Sequence, residues 1–371
     1  MDLKKKIALD ISRSLYRNQN AGYPLRQLFW ECTQRCNLAC RHCGSDCKVQ
    51  SGQADMPMED FLRVLDQVKE RTDCHKVSII ITGGEPLMRP DIEQCGLAIY
   101  RKGFPWGMVT NGFALTEARL RGLLKAGIHG LTISLDGIGE DHDWMRGRQG
   151  SFDRASAAIR MVCDFNKACA QGTAALGFSE LRSEDAINFD VVTCVNRRTV
   201  GQLDAIKEHL ISLGLRRWRL FTIFPVGRAA QDPELQIDRE EFVKLMEFIK
   251  ACRKEGRIHA SYACEGFLGD YEGEVRDNFF ACNAGISVGS VLIDGSISGC
   301  ASIRADYHQG NIYSDNFMDV WERGFQPYRN RDWMKNDACG DCRYWRWCLG
   351  GGMHLRDSDG KLILCHLDRL R

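Results

Sequence analysis

The chain has 371 residues, a formal net charge of +1 and 27% charged residues. That length serves one large or two medium domains, and the charge balance excludes the basic field expected of a nucleic-acid binder. No stretch reaches the roughly 20 apolar residues of a membrane span, yet eighteen cysteines are far more than packing alone uses.

Residues 3–17 read as a short amphipathic helix, an accessory element within 1–24. The basic start is followed by no continuous apolar run, because Asp10, Ser12 and Arg13 interrupt it, so no secretory signal is read. The compartment expected is the cytoplasm, where reduced thiols favour metal over disulfides.

Over 25–258 two periodicities alternate. Apolar or β-branched runs lie near 28–32, 77–82, 106–110, 130–135, 189–195 and 217–224, with helical patterns near 58–71, 91–102, 116–126, 152–170, 200–213 and 238–254. In the first helix Phe61, Leu62, Leu65 and Val68 recur at helical spacing. Six β–α units in series predict an α/β fold with a parallel sheet and helices outside, an open sheet or a partial barrel. The segment 172–188, rich in Gly, Ala and Ser, reads as an insertion or mobile loop. Beyond about 258 the rhythm stops, and 259–371 reads as a small cysteine-rich domain.

The chemistry-bearing residues follow the strands, at the carboxyl ends where parallel folds bind ligands. After the first strand come Cys36, Cys40 and Cys43; after the second, Gly83-Gly84-Glu85-Pro86. Asn111 follows the third, Ser134 ends the fourth, Asn196 follows the fifth, and Pro225-Val226-Gly227-Arg228 follows the sixth. Three thiolates on one loop suffice for three irons of a cubane and leave the fourth iron open to another ligand. Glycines at 83 and 84 permit a close backbone approach that a Cβ would block. A structural zinc site on these thiols, with Cys32 or Cys47 as a fourth ligand, would have no use for such a loop. Cys32 and Cys47 read as ordinary thiols.

In the tail, Cys282, Cys300, Cys339, Cys342, Cys348 and Cys365 carry metal-ligand spacing, C-x2-C-x5-C with a later return. Sulfur-rich zinc ribbons use similar pairs, so spacing alone admits zinc as well as iron–sulfur. The stripe Trp333, Tyr344, Trp345 and Trp347 reads as packing for this small domain.

C-x3-C-x2-C after the first strand with Gly83–Pro86 after the second resembles the radical S-adenosylmethionine (SAM) family over roughly 25–258. The resemblance implies a partial (β/α)6 TIM-like barrel and a [4Fe–4S] cluster on Cys36, Cys40 and Cys43 with SAM on the open iron. It implies cofactor contacts from Gly83, Gly84, Glu85 and Pro86, ribose or carboxylate contacts from Ser134 and Arg146, and weaker polar contacts from Asn111 and Asn196. His42 stands where the family usually has an aromatic residue and is expected near the adenine.

The tail resembles the SPASM extension of that family, which implies auxiliary [4Fe–4S] clusters. Cys339, Cys342, Cys348 and Cys365 would hold an outer one. An inner one keeps only Cys282 and Cys300, because Gly352 stands where the family has a cysteine; Cys264, or less readily His354, would supply a further ligand. At least one auxiliary cluster is expected, with a second in question. The implied activity is hydrogen abstraction from a peptide or protein substrate, with a flavodoxin or ferredoxin as electron donor. Modification of a tetrapyrrole or small cofactor is the alternative, and a non-catalytic electron carrier a third reading. Sulfatase-maturing members have Cys-Asp at the second tail cysteine, whereas Cys300 is followed by Ala301.

Overall fold

The computed structural model describes residues 1–263 and 266–371. After helix α1 (Leu3–Gln19) the chain alternates β1 (Gln27–Glu31), α2 (Met58–Arg71), β2 (Ser78–Thr82), α3 (Ile92–Arg101), β3 (Trp106–Thr110), α4 (Glu117–Lys125) and β4 (Ile128–Ser134). It continues through α5 (Glu140–Arg146), α6 (Ser151–Gln171), β5 (Asn188–Val195), α7 (Leu203–Ser212), β6 (Arg217–Thr222), α8 (Arg239–Glu255) and β7 (His259–Tyr262). Each of the six predicted strands and their helices forms close to its expected place.

Strands β1 to β7 lie side by side in sequence order, every pair parallel. An order that never reverses keeps each crossover turning the same way, which is barrel winding rather than doubly wound winding. The sheet stays open, ending in β7 on one side. On that side the parallel ladder runs one strand further than the sequence rhythm predicts, because the four residues of β7 are too few to carry a visible period.

On the other side β8 (Val288–Val291) pairs parallel with β1, then β9 (Ser296–Ser298) and β10 (Gly310–Asn311) follow antiparallel. The cysteine-rich region thus extends the barrel sheet before it turns into short helices, of which α9 (Phe317–Arg323) is the longest.

Packing follows the periods. Phe61, Val64, Leu65 and Val68 form the buried face of α2, and Phe61 stacks on Trp30 of β1 with ring centroids 4.6 Å apart. In β6 the alternate residues Trp218, Leu220 and Thr222 are buried, as the two-residue period requires. The segment 172–187 is tied down, since Leu181 and Ile187 are buried. Sequence reasoning did not find α5, whose seven residues are bracketed by Gly139 and Gly147 in left-handed backbone. It matters because it lies against the first cysteine loop.

Candidate functional site

The loop carrying Cys36, Cys40 and Cys43 leaves β1 and is gripped from four sides. From β2, Gly84 N donates to Thr33 O at 2.7 Å and Glu85 N to Arg35 O at 2.9 Å. A Cβ on Gly83 would stand 2.1 Å from Thr33 O, and one on Gly84 2.3 Å from Arg35 O. The steric demand for these glycines comes from the cysteine loop itself. From β3, Asn111 Nδ2 donates to Asn37 Oδ1 at 2.8 Å. From α5, the carbonyls of Met145 and Arg146 accept from Arg41 N and Ala39 N at 2.9 and 3.2 Å. From β6, Arg228 Nε donates to Cys40 O at 2.8 Å, and Gly227 sits where a Cβ would be 2.6 Å from Cys43 O. The post-strand loops converge as expected.

Cys36, Cys40 and Cys43 cluster with Leu38, Phe113 and a fourth thiol, Cys47. Burial pushes Cys36 up to about 12. Cys43 is drawn down to about 5 by a hydrogen bond from the Cys47 thiol, helped by Arg228. Three thiols grouped on one loop fit three irons of a cluster, and metal binding would displace their protons.

Beside the thiols lies a charged group that sequence reasoning found only in part. Arg146, expected at a cofactor carboxylate or ribose, is buried and pairs with Asp136 at 2.7 Å. Its Nη1 lies 3.7 Å from Cys40 Sγ. Burial works against its charge, but Asp136 and Cys40 more than offset this and raise its pKa. Burial would raise the Asp136 carboxyl, yet Arg146 and the neighbouring histidines hold it below its usual value. His142 Nδ1 accepts from Asp136 N at 3.0 Å, which leaves the proton on Nε2. Burial lowers both His42 and His142 to about 4, so both are neutral near pH 7.

Among the described residues, His42 Nδ1, His142 Nε2 and Arg146 Nε are buried without hydrogen bonds. Such orphans suit a polar ligand seated beside the thiols. Ser134 is buried at the end of β4 in the same loop layer. The signal for Asp136 was its place two residues past a strand end.

Glu85 is held by donors of the chain itself. Its carboxylate accepts from Thr110 Oγ1 at 2.6 Å, Asn111 N at 2.7 Å and Leu87 N at 3.1 Å, joining the β2 and β3 loops. Burial raises its pKa while those donors oppose the rise. Pro86 starts the 3-10 turn behind it. Asn196 accepts from Arg198 N and Thr199 N through Oδ1, capping its own loop.

In the tail, Cys339, Cys342, Cys348 and Cys365 line one cavity of about 450 Å³. Burial and the other three thiols push Cys348 up to about 12. The buried Arg356 donates to Cys339 Sγ at 3.2 Å. No three His, Cys, Asp or Glu side chains among the described residues converge on a point that one ion would fill. The four thiols ring a cavity instead, which suits a cluster with one thiolate per iron.

Cys282 and Cys300 do not line that cavity, and they lie close to each other, for the charge of Cys282 raises Cys300. Arg331 and the Met353 amide hydrogen-bond the Cys282 sulfur, and its pKa falls although burial opposes this. Position 352, next to Met353, therefore adjoins Cys282. His354 packs its ring on Phe224 at 4.9 Å. Cys264 lies outside the described residues.

Beside the first cysteine loop an open cleft of about 600 Å³ is lined by Arg41, Glu140, Asp143, Trp144, Gln149 and Arg198, among others. Trp144 carries the Arg41 and Arg198 guanidiniums at 4.5 and 4.7 Å from its ring centre.

Comparison with known proteins agrees with this geometry. Residues 30–181 match the Radical SAM superfamily, and residues 282–343 match the SPASM iron–sulfur cluster-binding domain. The AdoMet-dependent heme synthase of Oleidesulfovibrio alaskensis is 25% identical, over 92% of this chain and 86% of that protein. The mycofactocin maturase of Mycobacterium tuberculosis is 29% identical, over 88% of this chain and 78% of that protein. Streptococcus suis SuiB bound to S-adenosylmethionine shares the fold, with TM-score 0.65 at 17% identity, over 95% of this chain and 79% of that one.

Proposed function

We propose that this chain, a radical SAM enzyme that ends in a SPASM iron–sulfur domain, modifies a peptide or protein. When bound, a [4Fe–4S] cluster with SAM on its open iron supplies a 5′-deoxyadenosyl radical that takes a hydrogen atom from the substrate. Cys36, Cys40 and Cys43 would hold three irons. Gly83, Gly84, Glu85 and Asn111 keep that loop in place, and Pro86 starts the turn that seats Glu85. Arg146, oriented by Asp136, would offer its spare Nε–H to the cofactor, with Ser134, His42 and His142 as further polar or packing contacts. Cys339, Cys342, Cys348 and Cys365 would hold an outer auxiliary cluster. Cys282 and Cys300, with Cys264 as a third thiolate, would hold an inner one. The electron donor in this reading is a flavodoxin or ferredoxin.

The observation that carries the peptide reading is the open, charged cleft along Arg41, Trp144 and Arg198. An extended chain can lie along such a rim, whereas a flat apolar macrocycle calls for a deep apolar slot. Similarity to the heme synthase over 92% of this chain favours the second reading, a tetrapyrrole substrate.

Anaerobically reconstituted protein, given SAM and dithionite, separates the two. Peptides translated from short reading frames beside the gene are compared with iron coproporphyrin. Substrate-dependent 5′-deoxyadenosine with a mass change on a peptide is expected; turnover with the porphyrin alone overturns the peptide reading.

A further inference from the structure

We propose that α1 seats this enzyme on an anionic lipid surface. A surface helix normally turns its apolar stripe inward, and α1 does the reverse. It is fastened to the protein by polar groups. Lys5 donates to the Glu272 carbonyl at 2.5 Å, and Asp10 accepts from Arg346 and Trp347 Nε1 at 2.5 and 2.8 Å. Tyr16 donates to Asn283 Oδ1 at 2.9 Å. Leu9 is the one buried residue of the helix.

The rest of its large aliphatic side chains face water. Leu3, Ile7, Ile11 and Leu15 are 72%, 49%, 57% and 55% exposed. Steps of four residues set them in one row, about 18 Å long at the helical rise. They are four of the eight large apolar side chains exposed among the described residues, and a contiguous row calls for a partner in a way that scattered residues do not.

Charge selects the partner. Lys4, Lys6 and Arg17 of the same helix are exposed. Arg13, half-buried, has its pKa lowered first by burial and then by the charges of Arg17, Arg331 and Arg346. A second copy would set these cations against their equivalents, and four partly exposed side chains fall well short of the roughly 800 Å² per partner of a stable interface. The row is convex, a ridge rather than a groove. A fluid headgroup layer accepts a ridge and neutralises flanking cations. No helix of the described residues is long and apolar enough to cross a membrane, so α1 would lie in the interface plane.

The test is co-sedimentation of full-length reconstituted protein with vesicles of phosphatidylcholine alone or mixed with phosphatidylglycerol. We expect about tenfold stronger partition onto the anionic vesicles, lost at high salt. Ile7→Gln/Ile11→Gln should lower it about tenfold, with the melting temperature and 5′-deoxyadenosine formation unchanged because both side chains project into solvent. Should that variant melt early, Lys4→Glu/Lys6→Glu provides the same readout through charge. Equal sedimentation with both vesicle types overturns the proposal. So does binding indifferent to both variants, or a doubled solution mass by light scattering that Ile7→Gln/Ile11→Gln returns to monomer.

Discussion

Arg146 Nη2 stands 2.7 Å from Asp136 Oδ2, with both side chains buried next to the first cysteine loop. Removing one partner of such a pair strands the other charge in a low-dielectric site. Asp136→Asn should therefore destabilise the chain by about 3–5 kcal/mol in urea unfolding, and the double change Asp136→Asn/Arg146→Gln by less than the sum of the singles. Additive losses would show that the two do not act as a pair.

Gly84→Ala tests how the cysteine loop is held. The new Cβ would stand 2.3 Å from Arg35 O and 2.9 Å from Gln34 C, both backbone, so the loop itself must move. Reconstituted protein should lose about four irons per chain, one cubane, while the iron dependent on Cys339 and Cys348 stays. Full iron and normal SAM cleavage would mean that the loop tolerates the shift.

Much of this arrangement is legible in the sequence, because hydrophobic period and loop chemistry coincide at each strand end. The six β–α units, the cysteine loop and Gly83–Pro86 each announce themselves. What stayed hidden has physical reasons. α5 and β7 are too short to show a period. The Asp136–Arg146 pairing spans ten residues, from the loop after β4 to the last residue of α5, with no periodic signal between them. The work of Glu85 and Asn111 as brackets is invisible without knowing which donors face them. For Gly83 and Gly84 the sequence indicates close approach but not which partner approaches.

Glu85→Gln should weaken the bracket between the β2 and β3 loops. The carboxylate accepts three donors, and an amide places an NH2 against at least one of them. A cost of about 1–3 kcal/mol is expected, read as a lower melting temperature together with faster loss of iron from the first site on chelation. A variant as stable as wild type would show that the bracket relaxes freely.

The pH dependence follows from His42 and His142 together. The pKa of each falls from the ordinary 6.5 to about 4 on folding, burial being the first cause. A folded value below the unfolded one means that the unfolded chain takes up the proton first. Stability is then complete above about pH 6.5 and falls as pH drops towards 4. A fall of that size corresponds to roughly 3 kcal/mol for each histidine. The depressed Asp136 carboxyl adds a further loss below about pH 4. His142→Gln, which keeps an acceptor for Asp136 N, should remove about half of the slope between pH 6.5 and 4 in urea titrations of metal-free protein, the rest staying with His42. An unchanged slope would remove His142 as a contributor.

Iron counting decides how many auxiliary clusters the tail holds. Cys339, Cys342, Cys348 and Cys365 share one cavity, so Cys342→Ala and Cys348→Ala should each cost the same cluster, and their combination no more than either alone. Cys282 and Cys300 are near each other and do not line that cavity. If they hold a second cluster, Cys300→Ala removes about four further irons and adds to Cys348→Ala, since the two sites share no thiol. Gly352 leaves the inner set short of a thiolate, which makes the inner cluster the more easily lost on mild oxidation. Gly352→Cys, adjoining Cys282 through Met353, should then slow that loss. Zinc at the outer site, or iron unchanged by Cys348→Ala, would sink the auxiliary-cluster assignment while leaving the first site intact.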